Sequence, residues 1–264
     1  MPWATNIACS LPSASFRLIG DNWCDDTIGD MPVTKKSDPV NIPSYPHEVL
    51  AVVLSVRDGN LCVLLWRRGQ SPFRYRWALP GGGVRPTERL REAITGHLAA
   101  KVDVRDVAHL EQLATHSAID RDPRTRVLAT AYLGLVPSDV RPNLPADTAW
   151  RRVDELPRTA FDHHYFIDAA VGRLRAKLSY TNIGFALAPA EFTIAELRDL
   201  FSAALGYELS ATNLTRVLTR RQVIGPTDRT ARPGQSGGRP ATVYKFVARE
   251  LTVTDPFAVL RPPR

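Results

Sequence analysis

The sequence predicts two domains in one chain, an α/β domain in the N-terminal part followed by a smaller α+β domain. The first prediction rests on apolar, strand-like segments that flank a glycine-rich stretch and an amphipathic helix. The second rests on two helices with capping residues, followed by two short strands around a segment rich in Gly and Arg. A chain of 264 residues is long enough for each domain to bury its own core.

Composition excludes several other classes of protein. No apolar run approaches the roughly 18 residues of a membrane span, and the N-terminus lacks the basic, apolar and small-residue order of a secretory signal. We therefore expect a cytoplasmic protein without a membrane partner. The three cysteines, Cys9, Cys24 and Cys62, are too few and too scattered for a disulfide framework or a zinc site.

The positive charge of the chain is concentrated near its C-terminus. Residues 210–249 contain eight basic residues and a single acid, Asp228, and their net charge of +7 equals that of the whole chain. Such a local basic region is what binding to nucleic acid requires. The basic residues are Arg216, Arg220, Arg221, Arg229, Arg232, Arg239, Lys245 and Arg249.

The expected order of elements divides the chain into five parts. Residues 1–45 have no sustained periodicity and are expected to form a poorly ordered tail. Strands at 49–56 and 61–66, around the turn Asp58-Gly59-Asn60, predict a β-hairpin. The full division is 1–45 for the tail, 46–160 for the first domain, 161–180 for a linking helix, 181–250 for the second domain and 251–264 for a C-terminal tail.

The stretch from Trp77 to Val104 combines a glycine-rich turn with a helix. Pro80 precedes three glycines at 81–83, and glycine allows a turn of the backbone to approach a phosphate closely. Pro86-Thr87 is expected to open a helix. The apolar residues that recur at helical spacing in it are Leu90, Ala93, Ile94 and Leu98.

This stretch resembles the Nudix box, in which Gly, five residues, Glu and seven residues precede Arg-Glu, an apolar residue, any residue and Glu-Glu. Counted from Gly82, the first Glu is Glu88 and the next apolar position is Leu98. The other carboxylate positions depart from the pattern, because the chain has Gly96-His97 and Ala100-Lys101 there. The resemblance implies that the first domain is a Nudix-like α/β/α sandwich.

The departures from the pattern bear on catalysis. Positions 97, 100 and 101 fall within one turn on one face of the helix, and in Nudix enzymes the carboxylates there hold Mg²⁺ against a pyrophosphate. A neutral imidazole, a methyl group and an ammonium do not hold a hard cation. We therefore predict ligand binding without hydrolysis, with no catalytic residue and no metal site.

Several residues near this stretch are candidates for ligand binding, with alternatives open. One interpretation of Lys101 is that its ammonium contacts the phosphate of a ligand. The alternative is that it forms a salt bridge with Glu88 or Glu92, or is simply exposed to solvent. For Arg67 and Arg68 there are also two interpretations: they contact a phosphate or an adenine ring of the ligand, or they are solvent-exposed residues at the end of a strand. The residues predicted to bind the ligand are Arg67, Arg68, Trp77, Gly81, Gly82, Gly83, Glu88 and Lys101.

Two more strands are expected to complete the first domain, and a long linking helix is expected to follow it. The strands lie at 108–117 and 127–136, and the charged segment 118–126 between them is predicted to be a mobile loop over the pocket. The helix opens near Asp162. His163 and His164 at its start suggest a metal site or a general base, but packing against the core is favoured because no carboxylate cluster accompanies them.

The second domain begins with two helices whose ends are marked by capping residues. Thr193 and Glu196 form a capping box, flanked by Phe192 and Leu197 as a hydrophobic staple, and Gly206 ends this helix. Ser210 caps the next helix, which Gly225-Pro226 is expected to end. Its inward residues are Leu214, Val217 and Leu218, and its opposite face carries Thr212, Arg216, Thr219 and Arg220.

A helix, a turn, a basic helix and two strands around a Gly/Arg-rich tip predict a winged helix-turn-helix. The cap, the apolar stripe and the cationic face agree with one another, so DNA binding is favoured over a merely solvated face. The residues predicted to contact DNA are Thr212, Arg216, Thr219, Arg220, Arg221, Arg239, Tyr244 and Lys245.

Over about residues 46–248 the chain resembles the Nudix-related transcriptional regulators of NAD metabolism, the NrtR family. The most specific pieces are Phe161-Asp162-His163, Lys177 to Thr181, the helix from Phe192-Thr193 to Leu200, and Gly238-Arg239-Pro240 with Tyr244. The resemblance implies a homodimeric repressor of NAD biosynthesis genes that binds palindromic double-stranded operator DNA, with ADP-ribose or a related nucleotide as effector and no cofactor. The alternatives are a divergent Nudix pyrophosphohydrolase with an accessory DNA-binding domain, and a repressor whose Nudix-like domain binds no ligand.

Overall fold

A computed structural model describes residues 43–231 and 240–255 of the chain. The predictions for the N-terminal tail therefore lie almost entirely outside the described residues, as do those for the Gly/Arg-rich tip and the end of the C-terminal tail. No helix within the described ranges is long and apolar enough to cross a membrane.

The first domain is built on a seven-stranded mixed sheet. Its central strands β1 and β6 run parallel, and the other pairs are antiparallel. The main order is β3-β2-β1-β6-β5, with β4 beside β1 and β7 beside β2. The strands are β1 His47–Arg57, β2 Asn60–Arg67, β3 Trp77–Ala78, β4 Gly81–Gly83, β5 His109–His116, β6 Leu128–Leu135 and β7 Thr148–Arg152.

The predicted hairpin between β1 and β2 is confirmed, with a loop of two residues. Arg57 pairs with Asn60, so Asn60 belongs to β2 and the loop consists of Asp58 and Gly59. Their φ values of 48° and 73° are both positive, which is the conformation that a tight hairpin requires and that Asp-Gly favours.

Two helices cover the two faces of the sheet and make the domain an α/β/α sandwich, as the resemblance implies. Helix α1, Leu90–Val102, packs Ala93, Ile94 and Leu98 on one face. Helix α2, His163–Tyr180, packs on the other face. The buried residues of α2 are His163, Phe166, Ile167, Ala170, Val171, Leu174 and Leu178.

Helix α1 begins three residues later than Pro86-Thr87 predicts. The Glu88 carboxylate accepts a hydrogen bond from the Arg85 backbone N–H at 3.1 Å, which closes a separate turn before the helix. The Glu92 carboxylate accepts from the Arg89 N–H, also at 3.1 Å, and satisfies the first turn of the helix itself. Asp103 ends the helix in the left-handed conformation, with φ of 51°.

The second domain contains the predicted helices and the two predicted strands. Helix α3 is Ile194–Leu205, α4 is Ala211–Arg220, and the strands are β8 Phe192–Thr193, β9 Ile224–Ala231 and β10 Ala241–Phe246, in the order β8-β10-β9. Strand β8 was not predicted, because the same residues carry the cap and staple signals of α3. Both caps are confirmed, since the backbone N–H groups of Glu196 and Asn213 donate to the hydroxyls of Thr193 and Ser210.

The end of α4 differs from the prediction. The helix stops at Arg220, and Gly225-Pro226 lies within β9. The backbone reverses at Gln222, whose φ is 55°. Pro226 is compatible with this strand because β9 is an edge strand, where a missing N–H costs no ladder hydrogen bond. Val217, expected inside, is only half-buried.

Helix α2 joins the two domains through a continuous apolar core. Its buried face belongs to one apolar cluster with the sheet residues Leu50 and Leu133, and the same cluster extends to Phe201 and Leu218 of the second domain. The chain also returns to the end of α2 after the winged domain, because the backbone N–H of Thr254 donates to the Tyr180 carbonyl at 2.8 Å. The expected linking helix is therefore also an outer layer of the sandwich, and the described part of the C-terminal tail is anchored.

Candidate nucleic-acid interface and ligand pocket

Helix α4 presents an exposed polar and cationic face, which we call the recognition face. Leu214 and Leu218 are buried against the core, which turns the other side of the helix to solvent. The Arg216 guanidinium donates to the Asn213 side-chain oxygen at 2.8 Å, so this arginine is held along the helix. The recognition face consists of Thr212, Arg216, Thr219 and Arg220, all exposed as predicted.

The other residues predicted to contact DNA have different environments. Arg221 turns inward, where its guanidinium pairs with Asp255 at 2.5 Å and donates to the Ser179 carbonyl at 2.7 Å. It anchors α4 to the end of α2, which corrects its assignment to the DNA-contacting set. Tyr244 is half-buried against the core, and Lys245 is exposed. Arg239 lies outside the described residues.

The three glycines before α1 form a strand instead of the predicted turn. Gly81, Gly82 and Gly83 pair with Leu50, Val49 and Glu48 of β1, in that order. A Cβ on Gly81 would lie 2.1 Å from the Val49 carbonyl oxygen, and one on Gly82 would lie 2.7 Å from the His97 ring. The absence of side chains at 81 and 82 is therefore explained by close packing within the domain.

The face of α1 that carries positions 97 and 101 makes polar contacts with β4. The His97 ring lies 3.0 Å from the Gly83 carbonyl oxygen, and the Lys101 ammonium donates to the Gly81 carbonyl at 2.5 Å. Lys101 also lies 5.0 Å from the centre of the Trp66 ring, within range of a cation–π interaction. Within the described ranges Lys101 has no ion pair with Glu88 or Glu92.

Lys101 borders a cavity that we call the cationic pocket. The cavity has a volume of about 310 Å³. Burial and the neighbouring Arg68 guanidinium lower the pKa of Lys101, and the Glu48 carboxylate opposes this effect. The pocket is lined by Trp66, Arg68, Gly69, Gln70 and Lys101.

The predicted ligand-binding set does not come together in one place. Trp77 packs with the core on the α2 side of the sheet, whereas Trp66 packs on the α1 side. Arg67 and Arg151 lie 5.7 and 4.3 Å from the Trp77 ring and form a separate cation–aromatic cluster. The Glu88 carboxylate accepts a hydrogen bond from the Arg85 backbone N–H and pairs with the Arg85 guanidinium. Only Arg68 and Lys101 of the predicted side chains line the cationic pocket.

A buried ion-pair cluster next to this region was missed by the sequence analysis. The Arg121 side chain is only 1% exposed; it donates to Glu48 at 2.6 Å and, through two nitrogens, to Asp162 at 2.9 and 3.1 Å. His116 lies 2.7 Å from the same Asp162 carboxylate. These contacts join β1, the 118–126 segment and the start of α2, so the segment is attached to the domain at Arg121, while its mobility stays a prediction.

The packed interpretation of the histidine pair is confirmed for His163, while His164 is exposed. The Leu79 backbone N–H donates to Nδ1 of His163 at 2.9 Å. Burial, together with the positive charge of Arg121 and Arg68, lowers the pKa of His163 to about 3 despite the opposing charge of Asp162. The ring is therefore neutral and serves as a hydrogen-bond acceptor.

We expect this histidine to make the fold less stable below neutral pH. In the unfolded chain it binds a proton near pH 6.5, whereas in the folded protein it does so only near pH 3. Stability is therefore lost as the pH falls between these values, and the unfolding free energy should drop by about 2 kcal/mol from pH 7 to pH 5. Urea denaturation should show that His163→Asn abolishes much of this drop, while His164→Asn at the exposed neighbour keeps it.

Comparison with known proteins assigns both domains. Residues 45–170 match the NUDIX domain and residues 184–246 match the NrtR DNA-binding winged helix domain. The chain is 29% identical over 236 residues to the ADPR responsive transcriptional repressor NtrR of Acinetobacter baylyi, covering 83% of this chain and 90% of that protein. It is 30% identical over 138 residues to the ADP-ribose pyrophosphatase of Methanocaldococcus jannaschii, covering 51% of this chain and 80% of that protein.

A solved structure is similar to this chain over most of its length. Shewanella oneidensis NrtR complexed with a 27mer DNA is 30% identical and superposes with a TM-score of 0.66, covering 75% of this chain and 92% of that chain. A Nudix fold joined to a winged helix with a cationic recognition face defines a Nudix-related regulator. The chain belongs to the NrtR family.

The residues at the Nudix box do not fit the Mg²⁺ that Nudix hydrolases use. Magnesium prefers carboxylate and other oxygen ligands, but the helix face presents His97 and Lys101 to β4, with Ala100 between them. The nearby Glu48 carboxylate is engaged by Arg121. Among the described residues there is no group of three or more His, Cys, Asp or Glu that could hold a metal ion.

Proposed function

We propose that the protein is a DNA-binding transcriptional repressor of NAD biosynthesis genes whose Nudix domain senses ADP-ribose or a related nucleotide. The observation that carries the proposal is the recognition face of α4, a row of exposed Thr and Arg side chains on the second helix of a winged helix. Two relatives support it, one an ADPR responsive transcriptional repressor and the other an NrtR complexed with DNA.

Regulation follows from the way the two domains share α2. The protein acts as a homodimer on a palindromic operator, whose half-sites lie about 10 base pairs apart or a multiple of that distance. Nucleotide in the Nudix domain shifts α2, because Asp162 at its start is bound by Arg121, which also binds Glu48 of β1. A shift of α2 then changes the spacing of the two winged helices and weakens DNA binding.

The test of the proposed function is a gel-shift titration on the DNA upstream of the protein's own gene. We expect a shifted complex that survives an excess of unrelated competitor DNA and weakens steeply as salt rises. Binding to the upstream fragment no tighter than to a random fragment would contradict the proposal.

The enzyme alternative is favoured by one observation, the 30% identity to an ADP-ribose pyrophosphatase over the Nudix domain. We nevertheless expect no turnover, because the metal-binding carboxylates at 97, 100 and 101 are replaced by His, Ala and Lys. Chromatography of ADP-ribose and NADH incubated with the protein and Mg²⁺ or Mn²⁺ should recover both intact. Turnover that Glu88→Gln abolishes would establish the enzyme instead.

A further inference from the structure

The cationic pocket brings two positive side chains to one wall of the Nudix domain, and none of the described residues that line it is a carboxylate. Lys101 and Arg68 line the same cavity, beside the ring of Trp66. The Arg68 guanidinium donates through Nε to the Pro72 carbonyl at 3.1 Å and packs over the Phe161 ring at 4.7 Å. These contacts hold the arginine in place and leave its remaining N–H groups as donors.

Lys101 is positioned to donate to a ligand while keeping its present contact. An ammonium has three N–H groups, and one of them is used by the Gly81 carbonyl. That bond and the Trp66 ring fix the half-buried side chain at the junction of α1 and β4. Two N–H groups of the ammonium are therefore left for a group that enters the pocket.

The charges in this region favour an anion and disfavour a divalent cation. The carboxylate that acts on both Lys101 and Arg68 is Glu48, and Arg121 binds it at 2.6 Å. Two cations that share a cavity repel each other, and an entering anion relieves that repulsion. A divalent cation entering the same cavity would add to it.

We propose that Lys101 and Arg68 form a binding site for a phosphate or pyrophosphate group that works without a divalent metal. The Lys101 ammonium occupies the helix position of a carboxylate ligand in the Nudix box and supplies positive charge directly to the ligand, where the enzymes supply it through Mg²⁺. The proposal rests on the proposed function for the identity of the full ligand, a nucleotide that contains a pyrophosphate.

The test is calorimetric titration of the full-length protein with ADP-ribose and, separately, with inorganic pyrophosphate, each in EDTA and in Mg²⁺. We expect the parent protein to bind equally well in both buffers. Lys101→Ala should weaken binding by about 10- to 100-fold, because a hydrogen bond to a charged group is lost. Lys101→Glu should weaken binding further in EDTA and regain part of it in Mg²⁺, since a carboxylate again stands in the box.

A matched control is Arg105, whose exposed side chain lies just beyond the end of α1 and pairs with Asp103. Arg105→Ala removes one positive charge from the same region and should leave both affinities unchanged. Circular dichroism tests whether each variant keeps its fold. If Lys101→Ala unfolds, Lys101→Met, which keeps the aliphatic stem, replaces it in the comparison.

The outcomes separate this proposal from the proposed function. Binding that requires Mg²⁺, or that is unchanged in both Lys101→Ala and Lys101→Met, overturns the metal-independent site and leaves a nucleotide-responsive repressor intact. If the parent binds neither probe in either buffer, both the site and the nucleotide response are overturned, while DNA binding by gel shift remains a separate result.

Discussion

Replacing Arg121 with alanine should lower the free energy of unfolding by about 3–5 kcal/mol. The Arg121 side chain is 1% exposed and contacts two carboxylates, Glu48 and Asp162. Burial alone would raise the pKa of Asp162, but the hydrogen bonds from Arg121 and His116 outweigh it and lower the pKa overall. Without the arginine, Glu48 loses this partner and Asp162 keeps only His116, in a site that water does not fully reach, and removing one partner of a buried ion pair is costly.

Urea denaturation at neutral pH measures this effect, with Arg198→Ala as control. Arg198 pairs with Asp199 on the surface of α3, and loss of such an exposed pair should change stability by at most about 1 kcal/mol. Arg121→Lys should lie between the two, because an ammonium keeps the charge but cannot form the two-nitrogen contact with Asp162. An Arg121→Ala protein as stable as the control would show that the cluster adds nothing to stability.

Removing the arginines of the recognition face should have the largest effect on DNA binding. Arg216→Ala and Arg220→Ala should each cost about 1–3 kcal/mol of binding free energy if the side chain contacts a base edge. A base contact also relaxes the preference for sequence, whereas a phosphate contact lowers affinity evenly and flattens the salt dependence. Titration of operator and mutated-operator fragments at several salt concentrations distinguishes the two roles.

Two variants serve as comparisons for the recognition face. Arg105→Ala removes a positive charge from the Nudix domain and should leave DNA affinity unchanged. Arg221→Ala tests the corrected role of that residue, since it anchors α4 to the end of α2 through Asp255 and Ser179; we expect it to reduce thermal stability. If Arg216→Ala and Arg220→Ala both bound DNA as tightly as the parent protein, the recognition face would not be the DNA-binding surface.

Much of the fold was predictable because local signals agree with the tertiary structure. The caps at Thr193 and Ser210 and the hairpin at Asp58-Gly59 specify their own hydrogen bonds within a few residues. The apolar period of α4 likewise fixed which side faces solvent, and hence the recognition face. In each case the residues that determine the local structure are only a few positions apart in the sequence.

The ligand pocket was harder to predict because its parts come from separate elements. Glycines at 81–83 indicate that another group packs closely against this backbone. The sequence does not distinguish a bound phosphate from the groups that the structure shows there, which are β1 and the His97 ring. The alternation along β2 places Trp66 and Arg67 on opposite faces of the sheet, which separates Arg67 and Trp77 from Lys101. The partners of Arg121 are 41 and 73 residues away in the chain, and no local pattern specifies them.

The response of DNA binding to ADP-ribose is the most direct test of a repressor controlled through its Nudix domain. Fluorescence anisotropy of a labelled upstream fragment, titrated with the protein in EDTA with and without saturating ADP-ribose, measures the coupling between the two domains. We predict that ADP-ribose weakens DNA binding by about 5- to 150-fold, the range of a coupling free energy of about 1–3 kcal/mol. Identical DNA affinity at saturating ADP-ribose would contradict the coupling.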